Sequence, residues 1–299
     1  MNPDHAVIEK LYTALDERTQ QRVDQVVTRI VEAKEQNGSV AVVTGSGPNI
    51  HEGVTTLIAE LISKKLIDGV MTSSAVIAHE MAGSLDKVKR VKGTDLAGVN
   101  PALLPRGETF EVTLLDDAAL QQLQTEMILD LPLIERVRQM PGETIIKAAG
   151  NMAYPMGLRT EQLAVEIEAL AGMTGQPFEY IAGVGADPKT MIGAGAQHGV
   201  PVLVSVPQLI GGGMVGMAIG DSIPLKQRSK RIAQILGQAS VIIESGVALT
   251  QEIHDGPFET YTGHGIWSAW QGIETFSLEG KTLARIDLDP NLEEVWRIE

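Results

Sequence analysis

The chain contains no cysteine. That excludes disulfides, thiolate metal sites, thiol nucleophiles and iron–sulfur ligation, so any metal would have to rest on histidine and carboxylate ligands. Aromatic residues are scarce at 4%, whereas glycine is plentiful with 31 copies. This balance suits helices and strands joined by tight turns, not a β-sandwich. Long apolar runs are missing too: "MNPDHAVIEKLYTALDERTQQRV" carries charge throughout, and no run reaches the length that spans a bilayer. The expectation is a soluble, cytoplasmic protein without membrane partners. Positive charge is short, 24 Lys and Arg against 38 Asp and Glu, for a formal charge of -14. A nucleic-acid backbone is therefore a poor partner. The Walker lysine motif, the G-x-S-x-G elbow and the zinc-protease helix motif are all absent, which argues against a kinase, a serine hydrolase or a zinc protease.

What is present is 299 residues with 43% hydrophobic content, enough to bury a large core as one α/β domain over 1–299. Between residues 4 and 36, Val7, Leu11, Leu15, Val23, Val26, Val27 and Ile30 recur at roughly helical spacing among many charges, which predicts one or two amphipathic helices. The apolar run 39–44, a glycine turn and a helical pattern over 54–65 read as strand, turn and helix. The cycle then repeats, with "LIDGVMTSS" as a strand and "AVIAHEMAGSLDKVKR" as a helix. Residues 93–150 break the rhythm and read as an insertion or covering element, with a short strand "FEVTLL" and a helical stretch over 116–140. Afterwards come a helix over 160–174, a strand "FEYIAGVGA", a helix over 188–198, a strand "VPVLVSV", a helix over 225–237, and strands "ASVIIES" and "KTLARIDLD". Alternating strands and helices predict a Rossmann-like, mostly parallel sheet with helices on both faces.

In such a sheet ligands bind beyond the carboxyl ends of the strands. "TGSGPNIHEG" follows the first strand, and its Gly45, Ser46, Gly47 and Asn49 can offer backbone N–H groups to a phosphate at a helix start. An ordinary strand-to-helix turn would look the same, because Ile50 occupies the third glycine position of the dinucleotide fingerprint. The formal G-x-G-x-x-G at 211–216 is an equally weak signal. Two His–Glu pairs, His51–Glu52 and His79–Glu80, each come soon after a predicted strand. They suit proton transfer near neutral pH, or simple capping of the local backbone. Asp287 and Asp289 close the last predicted strand, where a carboxylate accepts ribose hydroxyls or merely begins a turn. The glycine-rich "HDGPFETYTGHGIWSAW" collects His254, Asp255, His264 and Trp267, which fit a substrate lid or an oligomer interface. A metal site drawn from His51, His79, His254 and His264 matches no recognised spacing.

These stretches resemble the deoxyhypusine synthase-like NAD-binding superfamily. "TGSGPNIHEGVTTLIAELISKKLIDGVMTSSA" is similar to the deoxyhypusine synthase run of strand, hydroxyl-and-asparagine turn, helix and threonine-ended strand. "HGVPVLVSVPQLIGGGMVG" resembles a second segment of that enzyme. A second pattern resembles the conserved domain of archaeal and cyanobacterial ornithine cyclodeaminases, the lysine-ketoglutarate reductase/saccharopine dehydrogenase-like domain. Gly47, Pro48, His51 and Gly53 fall on its G-P and H-x-G positions, and "SSAVIAHE" on its "GNALAVHD", with Ser74 at the asparagine, His79 at the histidine and Glu80 at the aspartate. "GTDLAG" and "IDLDP" resemble two further segments. The resemblance implies NAD as cofactor, a small amine or amino acid as substrate, and a homodimer or homotetramer. It also implies that Gly45, Ser46, Gly47, Asn49, Thr72, Ser73, Ser74 and Asp287 or Asp289 meet the cofactor. His79, Glu80 and His51 would then act in catalysis, with Glu52, His254, Asp255, His264 and Trp267 near the substrate and no metal involved. Thr250 stands where deoxyhypusine synthase has its imine-forming lysine, and Gly211 and Gly216 stand where it has acids, so the synthase reaction itself is not expected.

Overall fold

The computed structural model describes residues 5–45, 54–83, 85–98, 100, 102, 108–148, 153–205, 213–245 and 276–286. Two helices open the chain, α1 (His5–Thr13) and α2 (Glu17–Glu35). Asp16 caps α2 by accepting from Thr19 N at 2.9 Å, the usual service of an aspartate at a helix start. Then come β1 (Ser39–Thr44), α3 (Val54–Ser63), β2 (Gly69–Thr72) and α4 (Ser74–Met81).

Residues 86–154 build a separate four-stranded sheet from β3 (Asp86–Lys92), β4 (Thr109–Thr113), β5 (Glu143–Lys147) and β6 (Ala153–Tyr154), in the order β5-β3-β4-β6. Two helices, α5 (Asp117–Glu126) and α6 (Leu131–Gln139), lie between β4 and β5 in the chain. The long helix expected over 75–90 is thus corrected. It ends at Met81, Gly83 turns the chain at φ +129°, and β3 begins at Asp86.

The remainder runs α7 (Met156–Thr174), α8 (Phe178–Val184), α9 (Met191–His198), β7 (Val202–Val204), α10 (Met214–Ser222), α11 (Leu225–Gln238), β8 (Ala239–Ser245) and β9 (Thr282–Ile286). "FEYIAGVGA", expected as a strand, is the helix α8. Its Phe178, Glu179, Ala182 and Gly183 are buried, which is helical spacing. A Cβ on Gly183 would lie 2.2 Å from Ile192 O, so glycine is what lets α8 and α9 cross so closely. Of the glycine-rich stretch 211–216, residues 214–216 already belong to α10 and Gly213, at φ +61°, is its N-cap, while Gly211 and Gly212 lie outside the described residues.

Strands β7-β2-β1-β8-β9 form one sheet in which all four pairings are parallel. This is the Rossmann-like α/β architecture expected. Its strands β1, β2, β7 and most of β8 are buried on both faces, as in a covered parallel sheet, whereas the edge strand β9 is largely exposed. On one face Val40, Val42, Val70, Val202, Val204 and Val241 pack under α3, α4, α9 and α10. On the other, Ala41, Val43, Met71, Leu203 and Ile242 meet Ile232, Ala233 and Leu236 of α11 together with Phe276 and Leu278. No helix among the described residues is long and apolar enough to cross a membrane.

Candidate functional site

Numbered within the large sheet alone, the spatial order is 3-2-1-4-5. From β1 the chain first fills one side, with β2 and β7, and then the other, with β8 and β9. The crevice at the carboxyl ends of β1 and β8 is therefore the topological switch point, where open α/β sheets take their ligands. Thr44 and Ser245 are register partners there, and Gly45 N donates to Ser245 O at 3.1 Å. One strand over, Thr72 ends β2, Ser73 Oγ caps α4 by accepting from Val76 N at 3.4 Å, and Ser205 N donates to Thr72 O at 3.0 Å.

The consequence is a concentration of hydroxyls. Thr44, Thr72, Ser73, Ser74, Ser205 and Ser245 are all buried, and all sit where apolar strands reach the carboxyl edge. Buried hydroxyls are normally satisfied. Thr72 Oγ1 is buried and has no hydrogen-bond partner among the described residues. Such an atom, beside small residues at a switch point, is suited to a polar ligand atom. Of the residues expected at the cofactor, Gly45, Thr72, Ser73 and Ser74 are thus brought to one edge. Thr44, Ser205 and Ser245 belong with them and were not singled out. Their signal was the hydroxyl that closes each apolar run, "VAVVT", "VLVS" and "VIIES".

Glu80 is placed differently. It lies near the far end of α4 from Ser73 and is 2% exposed. Its Oε1 accepts from Met191 N at 2.7 Å and its Oε2 from Ile192 N at 3.0 Å, so the carboxyl group caps the start of α9. Burial pushes its pKa up to about 7, against the opposing pull of the two backbone N–H groups and a hydrogen bond with Thr55. Both oxygens are occupied in holding α4 to α9, which is structural work. His79 is half-buried in the last turn of the same helix. Ser46, Gly47, Asn49, His51, Glu52, His254, Asp255, His264, Trp267, Asp287 and Asp289 lie outside the described residues. Among the described residues no group of three or more His, Asp or Glu is arranged to hold a metal ion.

Sequence reasoning missed a buried ion pair beneath the edge strand. Arg228 and Glu179 are both fully buried and bonded to each other through Arg228 Nη1 and Glu179 Oε1. Glu179 Oε1 also accepts from Val204 N at 2.8 Å, and Arg228 Nη1 donates to Val204 O at 3.3 Å. The pair therefore occupies the outward N–H and C=O of Val204 as a neighbouring strand would, and closes that part of the sheet edge. A cleft of 390 Å³ opens beside it, lined in part by Tyr180, Pro201, Val202, Arg231 and Ile235. It lies toward the start of β7, away from Ser205 and the hydroxyl-rich edge, so it is not the crevice at the switch point.

No protein-family model matches the chain, and no curated protein matches it by sequence. Solved structures do resemble it. A mutant of AgrE bound to L-arginine matches over 94% of this chain at 13% identity and TM-score 0.48, and the same protein is known in a ternary complex with ornithine and NAD+. A conserved protein assigned as LOR/SDH from Methanococcus maripaludis S2 matches over 98% at 11% identity and TM-score 0.45. A protein assigned as a deoxyhypusine synthase from Entamoeba histolytica matches over 82% at 10% identity and TM-score 0.46. The chain spans 30% of the AgrE chain, 60% of the Methanococcus chain and 77% of the Entamoeba chain. At these identities the likeness is one of fold.

Proposed function

We propose that the protein is an NAD-binding enzyme that acts on a small amine or amino acid by hydride transfer. The observation that carries this reading is the switch point between β1 and β8, crowded with buried hydroxyls and bordered by Thr72 Oγ1, which has no partner among the described residues. Gly45 is small enough to admit a pyrophosphate close to its backbone, and Ser46, Gly47 and Asn49 continue that stretch in sequence. Thr72, Ser73 and Ser74 would meet the cofactor from the adjacent strand, and Asp287 or Asp289 the ribose. The bound dinucleotide would supply the hydride acceptor, while the chain supplies binding, orientation and proton transfer. His51, shortly after β1 in the chain, and His79 are the candidates for carrying the proton. The proposal gives Glu80 no chemical step, because α9 occupies both its oxygens.

That last observation favours one alternative, a nucleotide-binding protein without turnover. Calorimetric titration with NAD, followed by spectrophotometric assay with amines and amino acids, separates the two. Affinity with turnover supports the enzyme, and affinity without turnover supports the alternative. No affinity at millimolar NAD refutes both. Thr72→Val is nearly isosteric and removes a hydroxyl that bonds nothing described. It should weaken NAD binding about tenfold, the value of one hydrogen bond, and leave the melting temperature unchanged or slightly raised.

A further inference from the structure

Side chains close the sheet edge along β7 at one point and leave it open at the next. In the parallel pairing with β2, Val70 N donates to Pro201 O at 2.9 Å and Ser205 N donates to Thr72 O at 3.0 Å, so the residues bridged to Val70 and Thr72 are Val202 and Val204. The backbone N–H and C=O of those two valines therefore point outward, away from β2. At Val204 both groups are taken, by Glu179 and Arg228. Two residues the other way, Val200 N donates to Gly195 O at 2.9 Å. Val202 lies between these positions, and its outward N–H and C=O have no hydrogen-bond partner among the described residues. The residue is nevertheless only 6% exposed. Backbone groups so covered are nearly always paired, so this donor and acceptor need a ligand or an ordered water.

The opening is one residue long, and its length selects what fills it. An added β-strand bonds through a run of alternate residues. Here the N–H of Val200 and both groups of Val204 are already engaged, so a strand gains a single rung. One extended residue offers one donor and one acceptor side by side, which suits a small planar ligand with the complementary pair on one edge.

Val202 lines the 390 Å³ cleft, a volume within the range of small-molecule sites. Ile192 and Ile235 give that cleft apolar surface, Tyr180 an aromatic ring, and Gln176, Gln234 and Gln238 amide groups, a type that both donates and accepts. Of the charged residues in the lining, Glu179 is matched by Arg228, and Arg231 Nη2 lies 3.5 Å from Gly175 O. The lining therefore favours an uncharged ligand. An aromatic face for stacking and polar groups for a base edge are the means by which proteins hold nucleobases. Adenine and cytosine place an amino donor next to a ring-nitrogen acceptor, the complement of Val202 C=O and N–H.

We propose that the cleft beside β7 is a second ligand site, taking an uncharged nucleobase or nucleoside with an amino group next to a ring nitrogen. Val202 N–H donates to the ring nitrogen, Val202 C=O accepts from the amino group, and Tyr180 stacks on the ring. The site stands apart from the switch point and does not rest on the function proposed above. Isothermal titration of the full chain with adenosine and with cytidine should give, for at least one, a Kd below about 1 mM. The analogue with hydrogen in place of the amino group should bind about tenfold more weakly, the worth of one hydrogen bond. Tyr180→Ala, at a residue 44% exposed, should keep the fold and weaken the nucleoside roughly tenfold or more. Thr72→Val should leave nucleoside affinity unchanged, and bound nucleoside should move the Val202 amide proton downfield in the NMR spectrum. Three results overturn the proposal: no binding of either nucleoside at millimolar concentration, equal affinity for the analogue, or binding that survives Tyr180→Ala. Binding lost in Thr72→Val and kept in Tyr180→Ala would place the nucleoside at the switch point, which overturns this site while supporting the other.

Discussion

Glu80→Gln tests how a buried carboxyl group is held between two helices. In the folded protein the group titrates at about 7, whereas its ordinary value is 4.5, and burial is the main cause. Between those values the folded chain binds a proton that the unfolded chain has released, so raising the pH lowers stability. The favourable part is fully present below the unfolded value and is lost as pH climbs through about 7. Its size, at 1.36 kcal/mol per pKa unit, is on the order of 3 kcal/mol. Glutamine does not titrate. Its single amide oxygen serves only one of Met191 N and Ile192 N, so the variant leaves one buried N–H unsatisfied, at a cost of about 1–3 kcal/mol. Urea unfolding of both proteins from pH 4.5 to 8 should therefore show wild type ahead at the acid end. The gap should close by about 3 kcal/mol toward pH 8, where the variant equals or passes it. In melting temperature that closure is several degrees, at about 2 °C per kcal/mol for a chain of this size. A gap that stays constant, or widens with pH, would refute the reasoning. It would mean that the two backbone N–H groups outweigh burial and that Glu80 is already ionised at pH 5.

The edge-closing pair makes a sharper prediction about stability. Glu179→Ala leaves Arg228 charged, buried and short of its anion, and frees Val204 N, so it should cost about 3–5 kcal/mol in urea unfolding. Glu179→Leu combined with Arg228→Met should recover most of that loss, because an apolar pair leaves no uncompensated charge; a double variant as unstable as the single would contradict this. Gly183→Ala drives a methyl group to 2.2 Å from Ile192 O. It should destabilise by roughly 1–3 kcal/mol, read as a lower melting temperature, and an unchanged one would mean that α8 and α9 separate more easily than their packing implies.

The large sheet was legible because its central strands are buried on both faces. "VAVV" and "VII" are short, β-branched apolar runs bounded by hydroxyl or charged residues, which favours strands. The strand β3 was misread for the opposite reason. Its two buried residues, Val88 and Val91, belong to different core clusters on opposite faces of the small sheet. One apolar residue per face, three positions apart among lysines, imitates the period of a helix. Phe178 to Val184 was misread because its aromatic and β-branched residues favour a strand, while the contact that makes it a helix, Gly183 against Ile192 O, is tertiary.

The candidate site divides along the same line. Hydroxyls at strand ends follow from local sequence, since each closes an apolar run, and their convergence follows once parallel pairing brings those ends together. Partnerships across the chain leave no such trace. Glu80 meets backbone groups 111 and 112 positions away, and Arg228 meets an acid 49 positions earlier. The adjacency of His79 and Glu80 in sequence invited a chemical reading of the pair, yet neighbouring residues on a helix point about 100° apart. Glu80 is accordingly spent on α9, while the proposed ligand surface lies at the other end of the same helix, where Ser73 and Thr72 meet the carboxyl edge. A chemical role for the first turns after β1 and β2 therefore rests on the hydroxyl-bearing strand ends. Substituting Thr72, not Glu80, is the change that separates binding from stability.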